Sequence, residues 1–374
     1  SGSLVTIGGD NSAKRNVIIG TTTRGIKISP GGSPVVVIQG THIGVNAAGT
    51  SAIPNGNGID VRGGGSSNPK VTADSNVISG NTGLGIYIYA DKDSGSAIYG
   101  NKIGLNSSGT GVLPNVSGGV LLRQSSGIQI GNGVPGKGNF IAGNMNYGIQ
   151  LDDSDVITIQ GNVMGATADQ MGCFINYGYD IQGEKSDMLT IGGDSPELGN
   201  VMMQGLWING APNPEMTYGN VVKNNKLGIT ATGFMRPVKT GAIGAVMSFA
   251  SDGVIQSNVI THFDYGIRIV DSARGIKITQ NSIYDNGRLG IDLGSDGVTL
   301  NDNGDGDGAG GANYYQNFPI ITNLDLRDAA GDLYLDLFGT FNSEASSDYL
   351  IEIFSSPNCD GSGYGEGKDY ITSV

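Results

Sequence analysis

Gly85-Ile86-Tyr87-Ile88 is one of nine places where a glycine opens an apolar–any–apolar run. The full set starts at Gly25, Gly58, Gly85, Gly119, Gly148, Gly178, Gly205, Gly266 and Gly290, in steps of 33, 27, 34, 29, 30, 27, 61 and 24 residues. Each run alternates in and out, the period of a strand, and none is long enough to establish a helical period. The step of 61 is a double one and predicts a degenerate run near Gly244–Phe249, which makes ten coils.

Two further signatures repeat. Asn-Val-Ile or a close relative opens at Asn16, Asn76, Asn139, Asn200 and Asn258, two coils apart each time. The thirteen residues Ile43–Asn55 return at Ile103–Asn115 with seven identities. Asn81, Asn101, Asn144, Asn162, Asn220 and Asn281 close runs of similar shape. Asparagine suits the left-handed conformation of a sharp bend, and its amide can bond a neighbour in the next coil. Short strands, about three per coil, joined by turns, predict a solenoid in which every coil needs its neighbours to bury its apolar face. Ten coils at about 4.8 Å give a rod roughly 45–50 Å long.

These runs resemble the right-handed parallel β-helix repeats of the pectate-lyase-like superfold. The Ile-Gly-x-Asn-x-x-Gly-Thr-x-x-x-Pro-Asn segment resembles a repeat of large exported bacterial surface proteins. The tail is similar as well, through Gly290-Ile291-Asp292-Leu293-Gly294, Asn317-Phe318-Pro319, Ile351–Ser356 and Gly363–Gly367. The resemblance implies a parallel β-helix over residues 1–300, an acidic Gly/Asp-rich connection over 301–318, and part of a small β-sandwich-like module over 319–374, expected to be incomplete. It also implies an extracellular or cell-surface setting, as a piece of a larger surface protein. It does not fix an activity, since one fold hosts many.

Composition narrows the function. Glycine supplies 65 of 374 residues without a G-X-Y period, which excludes collagen. A net charge of −13 argues against a nucleic-acid partner, which requires a basic face. No apolar stretch approaches the length of a membrane span. Cys173 and Cys359 make neither a disulfide framework nor a zinc site.

In each run the residue between the two apolar positions is expected to face solvent. That column reads Lys27, Asp60, Tyr87, Leu121, Gln150, Asp180, Trp207, Arg268 and Asp292. Flat aromatic surface suits sugar rings, and acids or arginine suit hydroxyls or uronates. Tyr87, Asp180, Trp207 and Arg268 are therefore the glycan-binding candidates, centred on the only tryptophan. Residues 164–250 read as the irregular part, with insertions at Met164–Asn176, Asn209–Tyr218 and Thr230–Thr240 that could wall a site.

Catalytic motifs are incomplete. Asp152-Asp153-Ser154-Asp155 supplies acids without partner motifs and reads as a solvated turn, while Lys185, Tyr177 and Arg268 offer candidates for lyase chemistry. His42 and His262 lie many coils apart. Asn303, Asp305 and Asp307 place oxygens at alternate positions before Gly308, the opening of an EF-hand-like loop, and make calcium the one expected cofactor; the terminal bidentate acid is Tyr314 instead. The first reading is a non-catalytic surface scaffold or adhesive segment with a polysaccharide or surface glycan as partner. The alternative is a polysaccharide lyase, epimerase or hydrolase with its site on the central coils.

Overall fold

The computed structural model describes residues 3–374 apart from 30, 32, 65–67, 212–215, 238–239, 307–309 and 330–331. Three parallel sheets, each of ten strands, wind into a β-helix. The first runs from Leu4–Gly8 to Lys277–Thr279, the second from Val17–Ile18 to Ser282–Tyr284, and the third from Arg24–Ile28 to Ile291–Leu293. Among the described residues the helical segments are short 3-10 turns.

The third sheet carries the glycine-led runs. Ile26, Ile59, Ile86, Val120, Ile149, Ile181, Leu206, Ala245, Ile267 and Ile291 pair in register, with Ala245 supplying the degenerate coil. All but Ile291, at the end of the rod, are buried in one continuous core. The leading glycine is a matter of close approach. A Cβ on Gly85 would lie 2.6 Å from the Gly119 carbonyl oxygen and 2.9 Å from Ile103. Each coil settles onto the next through that missing side chain.

Asparagines fill the corners, and here the expected left-handed bend is corrected. None of the six turn asparagines has positive φ; the residue before each does instead: Gly80, Gly100, Gly143, Gly161, Gly219 and Gln280. The asparagines stack. Asn76, Asn101, Asn139, Asn162, Asn200, Asn225, Asn258 and Asn281 form one ladder, each Nδ2 donating to the next Oδ1 at 2.8–3.0 Å. A second ladder joins Asn55, Asn81, Asn115, Asn144 and Asn176 at 2.9–3.1 Å. Buried amides fully paired in this way fix the coil-to-coil register.

The thirteen-residue repeat forms a tab on the second, fourth, sixth and eighth coils. Antiparallel bridges Val45↔Ala52, Leu105↔Val112, Ala166↔Cys173 and Ile229↔Met235 mark them. Met164–Asn176 and the described part of Thr230–Thr240 are therefore further tabs, and the middle of the rod is more regular than its sequence suggests. The tabs stack: Ser107 N donates to Gly49 O at 2.9 Å, Ala168 N to Gly109 O at 3.0 Å, and Thr230 Oγ1 to Gln170 O at 3.0 Å. Of the three central segments only Asn209–Tyr218 departs from the pattern, and there Thr217–Tyr218 pairs with Ala250–Ser251.

Beyond the rod lie two antiparallel pairs, Ile320–Ala329 with Asp332–Thr340 and Glu352–Ser355 with Asp369–Ser373. The tail also closes the last coil. Glu366 accepts from Asn286 Nδ2 at 2.8 Å, and Glu352 from Gln280 N at 2.9 Å. Asn313 pairs with both backbone groups of Ile276.

Candidate functional site

The outward column of the third sheet runs Lys27, Asp60, Tyr87, Leu121, Gln150, Gln182, Trp207, Val246, Arg268 and Asp292. Eight of the nine expected residues stand in it and Val246 fills the degenerate coil, but Asp60, Val246 and Asp292 are buried there and do not face solvent as expected, the two acids lying under the arginines they hold. Asp180 does not stand in the column. Ile149 pairs with Ile181 rather than Tyr179, so Gln182 faces out and Asp180 takes the place of the leading glycine.

Asp180 is fully buried, and its position has a cause. The turn of the following coil is short and brings Gln204 where an asparagine rung would stand. Asp180 supplies the missing oxygens, accepting from Asn176 Nδ2 at 2.8 Å and from Gln204 N at 2.7 Å. Burial pushes its carboxyl up to about 6, opposed by those donors and by the charge of Arg236. Asp180 is a structural plug and drops out of the glycan candidates.

Trp207 is half-buried beside Tyr179, ring centroids 6.0 Å apart, and leaves part of its surface to solvent. Tyr87 packs against Tyr89 and under Arg62, whose guanidinium lies 4.5 Å from the Tyr87 ring. Arg62 is held 2.6 Å from Asp60, with Arg24 on the same carboxylate at 2.7 Å. Arg268 is paired with Asp292 at 2.8 Å and stacked on Tyr265 at 3.8 Å. The structure thus brings Tyr87 and Trp207 onto one face, four coils apart, and ties Arg268 into a separate cluster nearer the rod's end.

A second outward column, two residues further along each strand, carries Arg62, Tyr89, Arg123, Asp152, Glu184 and Asn209. Arg123 holds Asp152 at 3.0 Å, and Glu184 accepts from Gln182 at 2.6 Å. Just past these strands lies a groove of about 520 Å³, lined by Arg123, Gln124, Asp152, Asp153, Lys185, Asp187, Met216, Thr217 and Tyr218. Asp152 and Asp153, read as a solvated turn, are part of that wall. On the tab side, Met145 and Tyr177 are exposed, Tyr177 by 80%. Tyr147 is buried between, its hydroxyl pushed up to about 12 by burial first and then by Glu184, Tyr87 and Asp152. Extending each glycine-led run by two residues exposes this second column in the sequence; the displaced coil at Gly178 hides Gln182 and Glu184 from that reading.

The histidines lie elsewhere. His42 is buried, with Nδ1 at 3.2 Å from Asn46 O, and His262 Nδ1 contacts Thr261 Oγ1. In the acidic connection, Asp305 accepts from Asn317 N, Gln316 and Ser343, and Asn303 lies near Asn342; Asp307 is outside the described residues. Among the described residues no group of three or more His, Cys, Asp or Glu side chains could hold a metal ion, and no helix is long and apolar enough to cross a membrane.

Stacked asparagine corners, a continuous aliphatic core and one aromatic–polar sheet face define a β-solenoid with a lateral face. Residues 118–323 match the model of the right-handed β-helix region, and the chain belongs to that family. It is similar to the crystal structure of PfbA, a surface adhesin of Streptococcus pneumoniae, at 14% identity and a TM-score of 0.37, over 92% of this chain and 82% of that one. It is also similar to a double mutant of the periplasmic alginate epimerase AlgG, at 13% identity and a TM-score of 0.34, over 78% of this chain and 57% of that one. No curated protein matches the sequence.

Proposed function

We propose that this rod is an extracellular scaffold whose third-sheet face holds an extended glycan without cleaving it. The observation that supports the reading is the in-register row Tyr87, Leu121, Gln150, Gln182 and Trp207, one residue per strand, beside an open groove. Strands about 4.8 Å apart present stacking and amide groups along the rod axis, which suits a linear polymer better than a small molecule. Two acids of the strand face are engaged in protein contacts, Asp152 with Arg123 and Glu184 with the Gln182 amide, which supports holding over turnover. A general acid or base needs a proton position within reach of substrate instead.

The test is a glycan array followed by calorimetry on the hits. Trp207→Ala is expected to weaken binding about tenfold with the melting temperature nearly unchanged, as stacking on an aromatic contributes on the order of 1 kcal/mol. Unchanged binding would place the ligand elsewhere. Release of unsaturated or reducing-end products from a bound polysaccharide would replace this reading with the enzymatic one.

A further inference from the structure

We infer that this face, if the glycan-holding reading stands, selects a polymer bearing free amino groups over one bearing uronate groups; the inference rests on that reading.

The first ground is the state of the arginines. A uronate polymer needs cations able to meet its carboxylates. Each arginine of the face is already matched inside the protein: Arg24 and Arg62 on Asp60, Arg123 on Asp152, Arg268 on Asp292. A uronate meeting one of these guanidinium groups would share a charge that a protein carboxylate already neutralises, and would gain correspondingly less from it.

The second ground is the state of the acids around the groove. Asp153 is exposed and has no ion-pair partner among the described residues. Glu184 is met by amides, from Gln182 at 2.6 Å and Gln150 at 3.4 Å. Asp187 accepts from Tyr218 N at 2.9 Å. Its carboxyl is held above the usual range by burial, with the neighbouring Asp155 adding to the effect. Arg123 and Lys185 line the groove too, but Arg123 is matched by Asp152, and Asp153, Asp187 and the neighbouring Glu184 outnumber the lysine, so the excess charge is negative and favours ammonium groups over carboxylates.

The third ground is independent of charge. Thr217 lines the same groove, is 1% exposed, and its hydroxyl has no hydrogen-bond partner. A buried hydroxyl without a partner is costly. A ligand hydroxyl or amine that reaches it from the groove offers the missing bond whatever the polymer's charge, so this observation supports occupancy of the groove and leaves the choice of polymer to the first two grounds.

The experiment uses the whole chain and three hexasaccharides: glucosamine, its N-acetylated and therefore neutral form, and galacturonate. Calorimetry is run at mildly acidic pH, where the amines are charged and exposed carboxylates remain ionised. The glucosamine chain should bind roughly tenfold tighter than the acetylated one and lose affinity about fivefold between about 50 and about 300 mM salt. The galacturonate chain should not bind. Asp153→Asn with Asp187→Asn, checked for an unchanged melt, should bring the first two probes within about twofold of each other. Tighter binding of galacturonate, or equal binding of the amino and acetylated chains to the unsubstituted protein, overturns the charge selection and leaves the glycan face standing. No binding of any probe overturns both; the Trp207→Ala comparison then has nothing to lose, which marks the failure as that of the face itself.

Discussion

The two asparagine ladders began as the same device and ended differently. One runs unbroken through eight coils, from Asn76 to Asn281. The other stops at Asn176, passes through Asp180, Gln204, Arg236 and Phe263, and resumes at Asn286. The unbroken ladder lies beside the regular strands of the first two sheets. The broken one lies behind Gln182, Glu184 and Trp207. Regularity is given up at the corner that supports the most varied part of the outer face, and the replacement parts are individually fitted: a plug, a buried cation and an aromatic ring, with the Arg236 guanidinium 4.6 Å from Phe263.

That contrast can be broken experimentally, and the largest effect is expected in the regular ladder. Asn162→Ala removes three donated and two accepted bonds in a buried column: to Ile130 O at 2.9 Å, Gln160 O at 3.1 Å and Asn200 Oδ1 at 2.9 Å, from Asn139 N at 3.0 Å and Nδ2 at 2.8 Å. A loss of about 3–5 kcal/mol in urea unfolding is expected, because the partners stay buried without water. A loss under about 1 kcal/mol would mean that water enters the column and that the ladder is not a register lock.

In the broken ladder, Asp180→Ala should cost about 2–3 kcal/mol, since Asn176 Nδ2 and Gln204 N lose their acceptor and Arg236 its counter-charge. A cost equal to that at Asn162 would erase the distinction between lock and plug.

The two ladders should also separate by pH. Asp180 titrates at about 6 in the fold, above its ordinary 3.8, so the folded state favours its protonated form. The stability this contributes is complete below the unfolded value and is lost as pH rises through about 6, by up to about 3 kcal/mol. Melting curves from acid to neutral pH should show that loss, and Asp180→Asn should flatten it. A stability that rises over the same interval would contradict the burial-driven shift. Asparagine amides do not titrate, so Asn162→Ala should keep the pH slope of the unsubstituted protein.

The smallest effect on stability belongs to the face. Trp207→Ala should change unfolding by about 1 kcal/mol, as its ring is half-exposed and leans on Tyr179. A larger loss would make the tryptophan a packing residue and would move it to the structural side of the comparison.

Most of the architecture was legible because a solenoid repeats its instructions. Ten coils, the inward isoleucines and the degenerate run at Ala245 follow from one spacing. The misreadings share a cause. Tyr177-Gly178-Tyr179-Asp180 satisfies the glycine pattern by composition, but the chain reaches the sheet two residues later, because a missing rung in the next coil leaves room for an aspartate. A one-dimensional pattern carries no information about the coil above. The tabs of the middle coils were hidden for a related reason: Met164–Asn176 keeps only the first glycine and the last asparagine of the segment, while backbone bridges preserve its shape.

The tabs set the length unit of the molecule. Two of them reach back over the plain coil before them, as Leu113 O accepts from Gly80 N at 2.9 Å and Phe174 O from Gly143 N at 2.7 Å. A coil with a tab and a coil without one are therefore a lock and its keyhole. From the second coil to the eighth, the unit that duplicates with its contacts intact is a pair of coils, about sixty residues. Within that stretch a single inserted coil would part a tab from the coil it covers and leave a group such as Gly80 N unanswered on the flank of the rod.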